Sequence, residues 1–400
     1  MADYYIGLMS GTSLDGADGV LVDLSGAVPQ VLLSASTPFP PAFQTELLAL
    51  NTPGHDELHR AALAANQLVV LYARVVKELL AQAALQGITP DRIRAIGAHG
   101  QTVRHRPQEF ADNPLAGGAT AGYTLQLNNP ALLAELTGLD VVADFRSADL
   151  AAGGQGAPLV PAFHHAVFSQ PDRAVAVLNI GGISNLTLLP ASADTELAGV
   201  VTGFDCGPGN ALMDFWCLQH TGQPYDASGA WAASGHVLPA LLTALLAEPY
   251  LAKAPPKSTG RDLFSPAWLS AQLKGSEECR PQDIQATLTA FTAQACARDL
   301  VRHAPHSTEL LVCGGGAFNT ELMRQLASAL PEIAVLPTTA RGLPPLQVEA
   351  AAFAWLAQAW HQQRAGNLAA VTGASGPRVL GALYLAATVN RPGFRGGPLG

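Results

Sequence analysis

A chain of 400 residues is longer than one hydrophobic core usually grows, so two domains or lobes are expected. With 48% hydrophobic and 13% charged residues it has ample apolar surface to bury, which excludes a disordered chain. A net charge of −9 without clustered Lys or Arg excludes nucleic-acid binding as the main role.

Five scattered cysteines, Cys206, Cys217, Cys279, Cys296 and Cys313, show no Cys-x-x-Cys spacing and support neither a disulfide framework nor a zinc site. The N-terminus enters an apolar strand without a signal-like segment, and no apolar run reaches bilayer-spanning length. The expectation is a cytoplasmic protein with no membrane partner.

In chain order, Tyr4 to Val22 reads as strand, glycine-bearing polar turn and returning strand. Val31 to Pro38 is a third strand, ended by Pro38, Pro40 and Pro41. Glu57 to Ala84 has helical spacing, with Leu63, Leu68, Leu71, Val75, Leu79 and Leu80 forming the face that packs on a sheet. Ile93 to Ala98 is a short strand that delivers His99, Gly100, Gln101 and Thr102 at its carboxyl end, where open α/β sheets bind ligands. Glu109 to Tyr123 is a surface excursion. A helix over Ala131 to Thr137 closes at Gly138, and the strand Leu139 to Ala143 delivers Asp144, Phe145 and Arg146.

The glycine-rich stretch Ala151 to Pro158 then crosses to a second lobe and has the composition of a hinge, though a static glycine loop has the same composition. From Ala174 to Leu189 the opening pattern returns as strand, glycine turn and strand, so an internal duplication is expected, with the two turns clamping one ligand. Val200 to Phe204 is a strand that ends at Asp205, before a turn with Gly207 and Gly209 and a helix from about Ala211. Helices follow over Leu238 to Leu246 and Ile284 to Val301, separated by a loop carrying Lys257 and Arg261. The strand Glu309 to Cys313 runs into Gly314, Gly315 and Gly316 and then a helix from Thr320 to Leu330. Such a turn lets a ring or phosphate touch the backbone, though tight strand-to-helix packing uses the same glycines. Glu349 opens an apolar helix through Trp360, Val371 to Ala387 returns two strands to the first lobe, and Asn390 to Gly400 is a frayed tail.

No Gly-x-x-x-x-Gly-Lys-Ser/Thr loop, full Gly-x-Gly-x-x-Gly fingerprint or Gly-x-Ser-x-Gly elbow is present. His164 and His165 are adjacent and would point apart on a strand, and His99 and His105 flank a loop without ligand spacing, so a metal hydrolase fits poorly. What remains is three glycine turns at strand ends, spread over both halves, with isolated carboxylates. The first turn, Gly11 to Gly16, offers inward amides with the Thr12 and Ser13 hydroxyls, although an ordinary hairpin turn uses the same residues. Asp15 and Asp18 beside it would repel bare phosphate, which points to a metal-chelated nucleotide. Asp205 is the candidate base, a capping role at the next helix being the plainer alternative that Asn210 also fills.

The segments Gly7 to Gly16, Gly100 to Thr102, Ala143 to Arg146, Gly153 to Pro161, Asn179 to Gly182, Gly203 to Asn210, Lys257 to Arg261 and Gly314 to Asn319 resemble, in order, the anhydro-N-acetylmuramic acid kinases of bacterial cell-wall recycling. The resemblance implies an α/β, two-lobed fold of the sugar kinase, actin and chaperone ATPase type, with duplicated lobes and a nucleotide cleft between them. It implies lobes of 1–142 plus 371–388 and of 143–370, with 389–400 as a flexible tail. It also implies use of ATP and Mg²⁺ on a small amino sugar, 1,6-anhydro-N-acetylmuramic acid, opened by water and phosphorylated at O6. Residues Gly11, Thr12, Ser13, Leu14, Asp15, Gly16, Ala17 and Asp18 correspond to the ATP-phosphate loop, Gly181 and Gly182 to a second nucleotide turn, and Gly314, Gly315 and Gly316 to the adenosine side. Asp205 corresponds to the carboxylate that activates water, Glu349 to a second acid near the sugar, and Gln101, Thr102 and Arg146 to substrate contacts.

The 109–123 excursion is longer than the family leads one to expect, and the tail after Ala387 is extra. A homodimer is compatible with the sequence, and the direct metal ligands are not given by it. Two rivals stay open: a kinase for a different amino sugar on the same fold, and an ATP-gated interaction module without catalysis.

Overall fold

The computed structural model describes residues 2–11, 13–26, 28–108, 122–191, 200–255, 257–260, 263–275 and 278–386. Thr12, Arg261, most of the excursion and the tail lie outside the described residues.

The first half runs β1 (Tyr4–Met9), β2 (Gly16–Asp23), β3 (Gln30–Pro38), α1 (Pro41–Ala49), α2 (Glu57–Leu85), β4 (Ile93–Ala98), β5 (Gln101–Arg106), β6 (Tyr123–Leu127), α3 (Pro130–Thr137) and β7 (Val141–Ala143). The short α4 (Ser147–Ala151) and α5 (Val160–Phe168) lead into β8 (Ala174–Ile180), β9 (Ile183–Leu189), β10 (Thr202–Pro208), α6 (Ala211–Thr221), α7 (Ala230–Ala233), α8 (Pro239–Leu246), α9 (Pro266–Gln272) and α10 (Pro281–His303). Then come β11 (Ser307–Cys313), α11 (Thr320–Ala329), β12 (Ala334–Pro337), α12 (Val348–His361), α13 (Ala369–Thr372) and β13 (Ala382–Tyr384).

Both halves are built the same way. The first sheet has the order β13-β7-β4-β1-β2-β3 and the second β10-β9-β8-β11-β12. In each, the opening hairpin and the third strand are antiparallel, and the two following strands add in parallel on the other side of the first. The duplicated glycine-turn hairpin is therefore the first motif of a duplicated fold. The central strands β1 and β8 are buried on both faces, which explains their continuous apolar runs.

Three cores follow from this plan, with helices and sheets alternating in five layers. α2 and α3 cover the outer face of the first sheet through Leu68, Val75, Leu79 and Leu133. α6, α10 and α11 cover the outer face of the second through Leu212, Phe291 and Leu326. The middle core is centred on α12, whose alanines meet Tyr5, Ala95 and Val142 of the first sheet and Val177 and Leu311 of the second. Close approach explains two glycines: a Cβ at Gly7 or Gly97 would land on the carbonyl oxygen of Ala350 or Phe353. The helix backbone lies directly on β1 and β4. Among the described residues no helix is long and apolar enough to cross a membrane.

Several expectations are corrected. Pro40 and Pro41 do not only end β3; proline is favoured at a first helical turn, and α1 starts there. Leu63 lies on the exposed side of α2. Gln101 to Arg106 and Tyr123 to Leu127 pair as a two-stranded ribbon. β10 runs on to Pro208, so Asp205 sits within the strand, at a bulge against β9, and not after its end. His164 and His165 lie on a helix; His164 is buried on Thr187 Oγ1 at 2.9 Å and held down to about 3 by burial. The last segment supplies one short helix and one strand, and that strand joins the first sheet against β7.

Candidate active site

The turn between β1 and β2 is anchored from beneath. Buried Ser10 donates its hydroxyl to the Gly100 carbonyl at 3.1 Å and lies 3.0 Å from the Tyr72 hydroxyl. Gln101 Nε2 donates to the Gly11 carbonyl at 3.2 Å, so Gln101 holds the turn. Its Oε1 is buried without a partner among the described residues. Leu14 adopts φ +61° and its amide closes the turn on Gly11 O at 3.3 Å, while Ser13 Oγ donates to Asp15 Oδ1 at 2.6 Å. Gly16 and Ala17 continue into β2. Ala17 is wholly buried and Leu14 packs beside the same core, so these two offer main chain to a ligand and no side chain.

Asp18 is reached by solvent yet surrounded by protein, as a group in a cleft is. That burial, followed by the charge of Asp15, pushes its carboxyl up to about 6. Glu349, in the first turn of α12, is also raised, chiefly by burial and then by Asp18, with the Arg146 cation opposing. Arg146 is fixed from both ends: Nε and Nη2 meet His99 Nε2 at 3.1 and 2.8 Å, and Nη1 donates to the Gly156 carbonyl at 2.6 Å. Burial brings its guanidinium down to about 10, which leaves it a cation near neutral pH. His99 receives these bonds at Nε2 and is held neutral by burial and by Arg146. Asp15, Asp18, Glu349 and Arg146 thus form one electrostatic group. Thr102, at the start of β5, accepts from Gln126 Nε2 at 3.1 Å.

In the second half the two remaining glycine turns pack on each other. The carbonyls of Gly181 and Gly182 take the amides of Asn210 and Gly209 at 2.7 and 2.9 Å, so this turn supports the start of α6. Gly314 has φ +77°, and a Cβ there would stand 2.5 Å from Asn179 Oδ1, while Gly316 lies against Ile180. Gly315 begins a short 3-10 turn before α11, whose cap is Asn319 Oδ1 on the Leu322 amide at 3.0 Å. Among the described residues neither turn bonds to the Gly11–Asp18 segment.

Asp205 is held through one oxygen. Ser258 Oγ and the Thr259 amide donate to Oδ2 at 2.8 and 3.0 Å, while Oδ1 accepts nothing among the described residues. Burial raises its pKa, and the Thr259 amide, the Ser258 hydroxyl and the Lys257 charge oppose the rise. It caps no helix. Ser258 also lines a cavity of about 450 Å³ whose other walls are Gln155 and the end of β5, His105 to Gln108. That ribbon is tied to α2 by Arg104, which reaches Glu57 Oε2 at 2.8 Å and Leu50 O at 3.3 Å. His105, brought down to about 4 by burial and then by Arg146 and Arg106, connects this cavity to the Arg146 group. A larger cavity, about 580 Å³, lies between α7, α10 and α11, with alanine walls and Gln294, Arg324 and Gln325 at its edge.

Ser258, Thr259, Lys257 and His99 are the site neighbours that sequence reading leaves without a role. The first three follow one another in the loop after Pro256 and His99 stands at the carboxyl end of a strand, which are the signals available for them; the pairing of His99 with Arg146 has none, because the two are distant in sequence.

Two sheets that share the order of five strands, with β13 as an extra edge strand on the first, each opened by a glycine-turn hairpin, give the two-lobed α/β fold of the sugar kinase and actin type. Residues 3–386 match the family model described as anhydro-N-acetylmuramic acid kinase. A protein of that name from Variovorax paradoxus is 62% identical over 383 residues, covering 96% of this chain and 99% of the relative. Namesakes from Albidiferax ferrireducens and Cupriavidus metallidurans are 60% and 56% identical, each over 96% of this chain and over 100% and 98% of the relative. The chain belongs to the anhydro-N-acetylmuramic acid kinase family.

Proposed function

We propose that this chain uses ATP to convert 1,6-anhydro-N-acetylmuramic acid to N-acetylmuramic acid 6-phosphate, with Asp205 as the base that activates water. The observation that carries the mechanism is the hold on Asp205: two donors occupy Oδ2, Oδ1 is left for a water, and the residue giving one of those donors lines the cavity between the halves. Its raised pKa suits a proton acceptor near neutral pH. Oδ1 takes a proton from water as that oxygen bonds to the anomeric carbon. The bridge C–O bond breaks, its electrons go to O6, and O6 attacks the γ-phosphorus as the bond to ADP breaks. Gln101, Thr102, Arg146 and Glu349 stand on the first-half side, where Arg146 offers charge to an acidic sugar. The lobes, 1–142 with 371–388 and 143–370 but with α12 seated on the first, are assigned to close on this space and exclude bulk water that would otherwise consume ATP.

Gly11 to Asp18 and Gly181–Gly182 are assigned to the phosphates, and Gly314 to Gly316 to the adenosine side. Among the described residues no three metal-ligating side chains form a cage. Asp15 and Asp18 instead suit an ion that arrives with the nucleotide, since Mg²⁺ takes one or two carboxylates plus phosphate oxygens. When bound, Mg²⁺ neutralises charge on the transferred phosphoryl group.

The pKa of about 6 at Asp18 has a defined sign. Below that pH the carboxyl holds a proton that a cation must displace, so affinity for Mg–nucleotide is expected to fall, by up to about tenfold per pH unit, while Asp18→Asn binds more weakly without this dependence. Titration calorimetry from pH 5 to 8 checks it, and a flat profile in the unaltered protein would sink the Asp18 assignment.

The reaction itself is tested by ADP release. Turnover is expected with the anhydro sugar and not with N-acetylmuramic acid or N-acetylglucosamine. Equal turnover on a plain amino sugar would replace the substrate named here, and nucleotide binding without turnover on any sugar would favour an ATP-gated module.

A further inference from the structure

Lys257 precedes the two residues that hold Asp205, and a lysine beside Ser258, Thr259 and Gly260 would ordinarily be read as a phosphate ligand. The geometry places it elsewhere. Its Nζ lies 2.7 Å from Asp299 Oδ2 on α10, and the two side chains are only 1% and 4% exposed. The ammonium stands 5.3 Å from the Tyr250 ring centroid and 5.7 Å from that of Phe204. The Lys257 carbonyl accepts the Asp205 amide at 3.2 Å, and the Tyr250 hydroxyl donates to the Asp205 carbonyl at 2.8 Å. The main chain of Asp205 is therefore held by Lys257 and Tyr250, and its carboxylate by Ser258 and Thr259.

A buried ion pair is a poor source of stability, because removing both charges from water offsets their attraction and apolar residues of the same volume serve as well. A pair kept in this position calls for a task that apolar residues cannot perform. We infer that Lys257 and Asp299 are positioning residues for Asp205: the pair ties the 257–259 segment to α10 and keeps a fixed positive charge beside the carboxylate. The inference rests on the reading of Asp205 as the base.

The other titratable groups packed around this part of β10 are Tyr250, Cys206 with Cys296 from α10, and His303, whose Nε2 is 3.9 Å from Asp299 Oδ1. Arg302 is turned outward to the Leu251 carbonyl. Burial raises the Tyr250 and Cys206 groups and lowers His303, so all three are neutral near pH 7, which among the described residues leaves Lys257 as the cation acting on Asp205.

The experiment compares Lys257→Met and the apolar double variant Lys257→Met/Asp299→Leu with the unaltered enzyme, using MgATP and the anhydro sugar over pH 5 to 9. The double variant removes both charges and is expected to fold. Its kcat is expected to fall about tenfold with nucleotide KM unchanged, and the acid limb of its kcat/KM profile to move up by about half to one pH unit, because the cation favouring ionised Asp205 is gone. A folded double variant with an unshifted acid limb overturns the inference, whatever its melting temperature, since a merely structural pair would leave the limb in place. Failure of the double variant to fold overturns it as well, because the pair would then hold the half together. Asp205→Asn, assayed in parallel, separates the two readings. Turnover retained there removes the base assignment itself, whereas an inactive Asp205→Asn beside an unshifted double variant removes only the positioning role.

Discussion

Asp205→Asn is expected to lower kcat by about a thousandfold and to leave nucleotide affinity within about twofold of the unaltered protein. The size follows from what the substitution removes. Asn keeps an oxygen that can accept from Ser258 Oγ and the Thr259 amide, so the 257–259 segment stays in place and the strand keeps its bulge. Only proton acceptance is lost. Water then has to attack the anomeric carbon without a base, and O6 is never released as a nucleophile. The nucleotide is assigned to glycine turns that, among the described residues, share no hydrogen bond with Asp205, so its binding has no reason to change. Single-turnover phosphorylation, with nucleotide affinity measured in parallel, reads both quantities. Activity within about tenfold of the unaltered enzyme would show that another group takes the proton.

The second large effect is structural and begins at Gly97. An alanine there places its Cβ on the Phe353 carbonyl, a backbone atom of α12 that cannot rotate away. Either α12 lifts or β4 bends, and overpacking of this kind costs about 3 kcal/mol, or roughly 5 °C in melting temperature. The consequence reaches the site, because Glu349 sits in the first turn of the displaced helix and faces Asp18 and Arg146. A loss of activity greater than the loss of folded protein is therefore expected, read by comparing kcat per folded molecule with the calorimetric melt. A variant with unaltered melting would mean that the helix and strand have slack here.

Much of this was legible in residue order. The return of the glycine-turn hairpin at Ala174 anticipates two sheets of the same strand order, because local periodicity and turn chemistry agree in each. Position within a strand was less legible. Gly207 and Gly209 read as a turn following Asp205, whereas the strand continues to Pro208, and only the pairing with β9 shows it. Long-range partners left no trace at all. Nothing near Arg146 in the sequence announces His99, and nothing near Lys257 announces Asp299, since these contacts are made by folding and not by spacing. The family resemblance implies that Gln101 contacts the sugar, and its place after a strand says only that a ligand is near. The structure adds its amide on Gly11 O, a hold on the turn that leaves Oε1 without a partner among the described residues.

The seating of α12 also decides which parts of the molecule can move. On the side of the first sheet, helix and strands touch main chain to main chain at Gly7 and Gly97, a joint without play. Toward the second sheet the same helix meets Val177 and Leu311 through pliable side chains. Any opening of the jaws is taken up on that softer side. On that seating the acid on α12 is expected to move with Asp18 and Asp205 with the opposite half, so that closure would bring the water-activating carboxylate toward the first-half charges.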